Sequence, residues 1–156
     1  MKPKILFILH LPPPIHGAAM MGKYIQESEL VNSSFDCFCI NLATAGSLSD
    51  IGHISLKKLL KYFFLLKHIS HVVREIRPEL VYITPNAGGK AFFKDFIVVQ
   101  MLKSMGCKVI AHYHNKGVSV YQSKWVYNFF YKRFFSNLKV ILLAENLYKD
   151  IAHDRS

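Results

Sequence analysis

The stretch "KILFILHLPPPIHGAAMMGKYI", Lys4–Ile25, decides the fold. It opens with a continuous apolar run, Lys4–His10, which is the pattern of a strand covered on both faces of a sheet. Three prolines then form a stiff turn, and helical spacing begins at about Ala18. Because a buried strand followed by a short loop and a helix begins a β-α-β unit, this stretch predicts a parallel sheet.

The rest of the chain repeats this alternation of apolar runs and helical spacing. Strands are predicted at 4–10, 36–42, 80–84, 107–114 and 139–144, and helices at 18–30, 56–76, 91–104 and 124–135. This pattern predicts one α/β domain over residues 1–156, a Rossmann-like three-layer sandwich with a mostly parallel sheet of about five strands. The expected strand order is 2-1-3-4-5, which places the ligand site at the carboxyl ends of the first and third strands.

Composition narrows the class of partner. Of 156 residues, 51% are apolar, and 20 Lys and Arg against 10 Asp and Glu give a net charge of +10. Such a charge favours a negatively charged partner, either nucleic acid, an anionic membrane surface or a phosphorylated substrate. The chain has no recognisable nucleic-acid-binding module and its aromatic residues fall mostly at core spacing, so we expect no nucleic acid.

Cysteine use and the N-terminus predict a cytoplasmic location. The chain has three cysteines: Cys37, Cys39 and Cys107. The odd number indicates reduced thiols, which we expect to be buried and structural. The basic and apolar start is broken by His10 and the prolines, so it is interpreted as a strand rather than a signal peptide. His68 and His71 lack a third ligand nearby, and no metal site is expected.

The segment Gly17–Lys23 fits the phosphate-loop spacing G-x-x-x-x-G-K, but its context does not. Tyr24 stands where a phosphate loop has the Ser or Thr that binds Mg²⁺, and prolines fill half of the preceding loop. A dinucleotide-binding G-x-G-x-x-G is missing as well. What remains is a helix start whose N–H groups at Gly17, Ala18 and Ala19 suit an anion. A structural turn with no ligand fits this pattern equally well.

Three loops are expected to meet at the carboxyl edge of the sheet, 11–17, 85–90 and 112–117. They carry the polar side chains of His16, Asn86, His114, Asn115 and Lys116. His114 ends the fourth strand, where an imidazole can donate a hydrogen bond to a sugar hydroxyl or to developing charge. His112 lies on the same face of that strand, and a packed core histidine is an equal interpretation there.

Four segments together resemble one enzyme family. They are "PPPIHGAAMMGKYI", "YITPNAGGKAFFKD", "KVIAHYHNKGV" and "VILLAENLYKDI". In this order they resemble the landmarks of the N-terminal domain of the family-four retaining glycosyltransferases (glycosyl transferases group 1), which use nucleotide sugars. The resemblance covers essentially the whole chain, and the order of the segments is more specific than any one of them.

The resemblance implies the GT-B architecture, in which two Rossmann-like domains enclose the active site. The N-terminal domain binds the acceptor, and the C-terminal domain binds the donor and carries an E-x₇-E motif. No glutamate here has another eight residues on. We therefore expect an N-terminal half that is inactive without its C-terminal donor-binding partner domain. The resemblance implies hexosyl-type transfer in bacterial surface polysaccharide or glycolipid synthesis, with a sugar or lipid-linked acceptor.

Residue roles follow from the resemblance position by position. His114 matches the catalytic histidine that contacts the transferred sugar, and Gly17 and Ala18 match the loop that approaches the donor diphosphate. From their places in the three loops, and not from the resemblance, the acceptor is assigned to His16, Asn86, Asn115 and Lys116. A contact with phosphate or a solvated turn are the alternatives for His16. Many members of the family have Asp where Asn115 stands, which leaves the role of that position open.

Lys94–Asp95 matches a polar pair of the family with no role that we can specify. The chain is expected to bind no cofactor of its own, since the nucleotide-diphosphate sugar is the donor substrate. The alternative to a glycosyltransferase half is a flavodoxin-like module that binds phosphate or a nucleotide without transferase activity.

The predicted helix at 56–76 is amphipathic. Its basic side includes Lys57, Lys58, Lys61 and an embedded aromatic, Phe64. This combination suits an anionic membrane surface, so peripheral attachment to the inner face of a membrane is one expectation and a solvated face is the other. The opposite side is expected to face the core, and it carries Leu59, Tyr62, Leu66 and Val73. The aromatic helix at 125–135 is apolar nearly all round, which predicts burial on more than one side or, in a lone domain, a face left exposed for a partner domain or a membrane.

Overall fold

The computed structural model describes residues 2–42, 56–114 and 116–151. Five parallel strands form one sheet in the order β2-β1-β3-β4-β5, which confirms the predicted α/β class and strand order. The strands are β1 (Lys4–Leu9), β2 (Asp36–Asn41), β3 (Leu80–Ile83), β4 (Val109–Tyr113) and β5 (Lys139–Leu142). The helices are α1 (Gly17–Glu27), α2 (Glu29–Ser34), α3 (Leu56–Ile76), α4 (Gly89–Ser104), α5 (Val118–Gln122), α6 (Trp125–Phe135) and α7 (Tyr148–Ile151). The chain divides into two compact units, residues 1–84 and 85–156.

In the first unit, β1 has a strand on each side. Leu6 lies beside Phe38 of β2 and Val81 of β3 in a parallel register. Every residue of β1 after Lys4 is buried. Each fully buried aliphatic side chain contributes about 1.5–3 kcal/mol, so this strand is the centre of the unit's core. That position explains why its sequence is a continuous apolar run instead of an alternating one.

The helix predicted at 18–30 is wrong at its end. α1 stops at Glu27 and α2 begins at Glu29. Ser28 between them has an extended backbone, and its Oγ accepts a hydrogen bond from the Val31 N–H at 3.4 Å. The serine therefore caps a new helix, which hydrophobic spacing cannot reveal. Residues 43–55, between β2 and α3, lie outside the described residues.

The second unit packs α4 against α6 through aromatic rings. The Phe92 ring centroid lies 4.5 Å from that of Tyr131 and 5.6 Å from that of Phe134, and all three side chains are fully buried. The Lys103 ammonium on α4 donates to the carbonyls of Phe134 and Ser136, at 2.7 and 2.5 Å. It thereby caps the C-terminal end of α6, where the helix dipole favours a cation.

The exposure of α6 and of the cysteines decides two expectations about burial. α6 buries Tyr131 and its C-terminal phenylalanines, but Trp125 and Phe129 are 81% and 59% exposed. Its exposed residues recur at helical spacing, so one face of the helix is covered and the other is open. Among the cysteines, all of which are free, Cys39 is exposed and not a buried structural residue.

Candidate functional site

The loop after β1 leads into α1 through a histidine cap. His16 is the N-cap of α1, and its Nδ1 accepts a hydrogen bond from the Ala19 N–H at 3.3 Å. The Ala19 N–H, expected to be available to an anion, is therefore already used. The N–H groups of Gly17 and Ala18 have no partner that the helix itself can supply. The His16 hydrogen bond requires that a neutral imidazole carry its proton on Nε2.

The two glycines of the G-x-x-x-x-G-K segment have different surroundings. Gly17 is helical and exposed, and a Cβ there would meet no atom within 4 Å. At Gly22 a Cβ would overlap the carbonyl oxygen of His10, because α1 lies against the end of β1. Lys23 lies inside the helix and pairs with Glu27 at 3.8 Å. These contacts agree with the prediction that the segment is no phosphate loop, and they leave open space beside Gly17.

This difference makes a matched pair of substitutions. Gly22→Ala should lower the free energy of unfolding by about 1–3 kcal/mol, because the added methyl group has no room against the His10 carbonyl. Gly17→Ala should be neutral or stabilise by up to about 1 kcal/mol, because its site is open and helical. Urea unfolding of the two variants measures both effects. Equal stability of the two variants would contradict this packing.

The loop after β3 is fixed by a buried carboxylate. The backbone N–H and the side-chain Nδ2 of Asn86 both donate to Asp95 Oδ2, at 2.8 and 2.7 Å. Asp95 is fully buried, and burial raises its pKa although Lys94 and the Asn86 hydrogen bonds act in the opposite direction. Asp95 therefore holds Asn86 in place, which gives a structural role to one member of the polar pair.

Aromatic side chains hold the same loop from two other directions. The Tyr131 hydroxyl donates to the Ala87 carbonyl at 2.5 Å. A Cβ at Gly88 would overlap the ring of Tyr121, so this position needs a glycine for close packing. The loop that presents Asn86 is thus rigid, which is the property that an orienting residue of a binding site needs.

Two histidines lie together at the end of β4. The ring centroids of His112 and His114 are 4.2 Å apart, as expected for residues on one face of a strand. Burial and the neighbouring His114 lower the pKa of His112 to about 4, and burial lowers the pKa of His114. Both rings are therefore neutral at pH 7. Both nitrogens of His114 are buried, and the described part of the chain supplies neither with a hydrogen-bond partner.

The lowered pKa of His112 predicts how stability depends on pH. An unfolded histidine takes up a proton near pH 6.5, whereas folded His112 resists protonation down to about pH 4. The unfolded state then binds more protons, so stability falls as pH drops through this window. The variant His112→Phe should lose less stability than the wild type between pH 7 and 4.5 in urea unfolding. The raised pKa of Asp95 changes stability with pH in the opposite direction, but it does so in both the wild type and the variant. Parallel curves of stability against pH for the two proteins would contradict the prediction.

A third loop, after β4, is closed by an acidic residue that sequence reasoning missed. Asp150 of α7 accepts hydrogen bonds from the N–H groups of Gly117 and Val118, both at 2.9 Å, and from the N–H and hydroxyl of Ser119, at 3.1 and 2.5 Å. Burial alone would raise the Asp150 pKa, but these bonds together hold it below its ordinary value. The N-terminus of α5 thus already holds a carboxylate from the chain itself.

Another polar group that sequence reasoning missed lies at the end of β3. Thr84 is 2% exposed, and its N–H donates to the Ile8 carbonyl of β1 at 3.2 Å. Its Oγ1 is buried with no hydrogen-bond partner among the described residues. A buried hydroxyl in this state is uncommon and marks the edge where the topology predicts a ligand.

The remaining predicted site residues are placed as follows. His16 belongs to the first unit, and Asn86, His114 and the exposed Lys116 belong to the second. Asn115 lies outside the described residues. On α3, Lys57, Lys61 and Phe64 are exposed and Lys58 is half-buried. Within residues 2–42, 56–114 and 116–151, no cluster of three His, Cys, Asp or Glu side chains could hold a metal ion.

Comparisons of the chain with protein-family models, with curated proteins and with solved structures found no match. The functional interpretation therefore depends on the site itself and on the resemblance of its four sequence segments.

Proposed function

We propose that the chain is the acceptor-binding domain of a nucleotide-sugar-dependent glycosyltransferase that transfers a hexosyl group. The observation that carries the proposal is His114, whose two ring nitrogens are buried without a partner among the described residues. Desolvating such nitrogens without a hydrogen bond costs free energy, and groups in this state occur at ligand sites. The β2-β1-β3-β4-β5 sheet adds support, because β4 ends at the edge where such sheets bind ligands.

The proposed chemistry uses a neutral imidazole. In sugar transfer the bond from the anomeric carbon to the diphosphate oxygen breaks, that carbon forms a bond to the acceptor oxygen, and the acceptor hydroxyl gives its proton to the departing diphosphate. Neutral His114 has one N–H donor and one acceptor nitrogen. We assign the N–H group to a hydrogen bond with a sugar hydroxyl or with the charge that develops in the transition state. A fixed hydrogen-bond donor in a site without water stabilises such charge most effectively.

The other predicted residues take supporting roles in this proposal. The N–H groups of Gly17 and Ala18 meet the donor diphosphate in the open space beside Gly17, where the helix dipole favours negative charge. His16 has only Nε2 to offer, since Nδ1 caps the helix. Asn86 and Lys116 contact the acceptor, with Asn86 positioned by Asp95. In this proposal a further domain binds most of the nucleotide sugar, in the cytoplasm.

The test is a pair of titrations of ¹⁵N-histidine-labelled protein. Octyl glucoside below its critical micelle concentration serves as the acceptor probe, and UDP-glucose serves as the donor probe. We expect the acceptor probe to shift the ring resonances of His114. We expect the substitution Gly17→Val to block binding of the donor probe. The chain alone should transfer no sugar. Turnover at enzyme-like rates by the chain alone, or unchanged His114 resonances with both probes, would overturn the proposal.

The second candidate is a phosphate- or nucleotide-binding module without transferase activity. The open N-terminus of α1 at Gly17 favours it, because an anion can bind there without any sugar contact. Pyrophosphate discriminates between the two functions. Perturbation of the Gly17 and Ala18 amides by pyrophosphate, with no response of His114 to the sugar probe, would favour the binding module.

A further inference from the structure

The first half of α3 exposes its apolar side chains. The buried residues of α3 are Ile69 and Val73, both in its second half. The first half carries five large apolar side chains that are each more than half exposed: Leu56, Leu59, Leu60, Phe63 and Phe64. The prediction that Leu59 lies in the core is therefore wrong. Contact of these five side chains with another apolar surface would remove a large apolar area from water.

The exposed side chains form one continuous face. At 100° per residue, the five fall within a sector of about 140° of the helix surface. Lys57 and Lys61 border that sector, and the Lys67 ammonium lies 5.1 Å from the centre of the Phe63 ring. A surface helix of a globular protein normally turns such a stripe towards the core. Here the stripe faces outwards, so its partner is something other than this unit's core.

Charge indicates what that partner is. No Asp or Glu occurs from residue 51 to residue 74, a segment with four lysines and one arginine. A second copy of the chain would bring the same excess of +10 against this face. An anionic lipid surface is complementary in both respects, because it offers negative headgroups above an apolar layer.

We infer that residues 56–67 of α3 are a membrane-docking face that lies in the interface of an anionic bilayer. The five apolar side chains enter the boundary between headgroups and acyl chains, and the lysines contact the headgroups. Among the described helices, none is long and apolar enough to cross a membrane. The inference is independent of the sugar-transfer proposal, since it uses neither His114 nor the loops at the sheet edge.

Tryptophan reporters test where the protein enters the lipid. Trp125 is the only tryptophan, so Trp125→Phe gives a silent background. In that background, Phe64→Trp should shift its emission to shorter wavelength on vesicles of phosphatidylcholine and phosphatidylglycerol. Leu30→Trp, at a position 77% exposed on α2, is the control and should not shift. No shift at position 64, or an equal shift at position 30, would overturn the inference.

Vesicle co-sedimentation tests the contribution of each type of side chain. Lys57→Glu, Lys58→Glu and Lys61→Glu together should weaken binding on the order of a hundredfold at low salt. Raising salt should weaken wild-type binding because exposed charges are screened. Leu60→Ser with Phe64→Ser should weaken binding at least about tenfold without loss of stability, since both side chains are exposed.

The matched control lies on α6 of the other unit. Val126→Ser with Phe129→Ser removes two exposed apolar side chains there and should leave vesicle binding unchanged. Equal binding to neutral and anionic vesicles, or stronger loss in the α6 variant, would overturn the inference. A dimer in sedimentation velocity that the α3 serine variant dissociates would assign the face to a second copy and would also overturn it.

Discussion

Replacing His114 by alanine should lower sugar transfer by about two to three orders of magnitude in a protein that joins this chain to a donor-binding domain. The side chain is half-buried with both ring nitrogens shielded from solvent, and burial lowers its pKa, so its loss removes a shielded, neutral hydrogen-bond donor. The effect should appear in kcat more than in KM if the contact strengthens in the transition state. Steady-state kinetics with a soluble acceptor measure it.

Two variants separate catalysis from folding. His114→Gln retains an N–H donor at a similar reach and should recover part of the lost turnover. His112→Gln changes the neighbouring ring, 4.2 Å away, and should have the smaller effect on turnover. Turnover within threefold of wild type in His114→Ala would remove this residue from the reaction. Equal losses in His114→Gln and His112→Gln would reduce the pair to a packing role.

Asp150→Ala should destabilise the second unit by about 3 kcal/mol or more. The carboxylate accepts bonds from three successive backbone N–H groups and one hydroxyl, and the alanine variant leaves those donors without their partner. Hydrogen bonds to a charged group contribute about 1.5–3 kcal/mol each, though not additively. Urea unfolding measures the loss, and Asp150→Asn, which keeps two polar atoms, should lose less.

The acid dependence of Asp150 provides an independent check. Its folded pKa is lowered, so its stabilisation is fully present above the unfolded value of 3.8 and is lost as pH falls through the lower folded value. The alanine variant should lack this part of the acid unfolding curve. Lys149→Ala, at an exposed neighbouring position, is the control and should unfold like the wild type. A loss below about 1 kcal/mol in Asp150→Ala would show that water replaces the carboxylate.

The fold could be predicted because its signals are local and repeated. Apolar runs such as Leu80–Thr84 place each strand within one or two residues of its observed bounds. Alternation with helices then permits only a parallel sheet, and few strand orders satisfy its connections. Gly106 follows α4 with a φ of +77°, the left-handed conformation with which glycine commonly ends a helix.

The candidate site could be predicted only where a strand end marks it. His114 and Asn86 follow directly from strand ends, whereas Asp150 reaches its partners from about 30 residues away and belongs to no pattern near them. One local sign existed, because the N-cap of α5 is Gly117, which has no side chain to satisfy the helix. The prediction that Leu59 lies in the core was wrong for a related reason, because spacing identifies an apolar face but not what covers it.

The position of β1 between β2 and β3 has a consequence for synthesis of the chain. β1 emerges first and pairs with β2 within about 30 residues, but its other edge needs β3, which ends about 40 residues after β2. At a synthesis rate of ~5–20 residues per second, one edge of this strand stays unpaired for several seconds. During that time the sequence "ILFIL" is open to pairing with another chain. Slower translation between codons 42 and 80 should therefore increase aggregation of the nascent protein, and faster translation should reduce it.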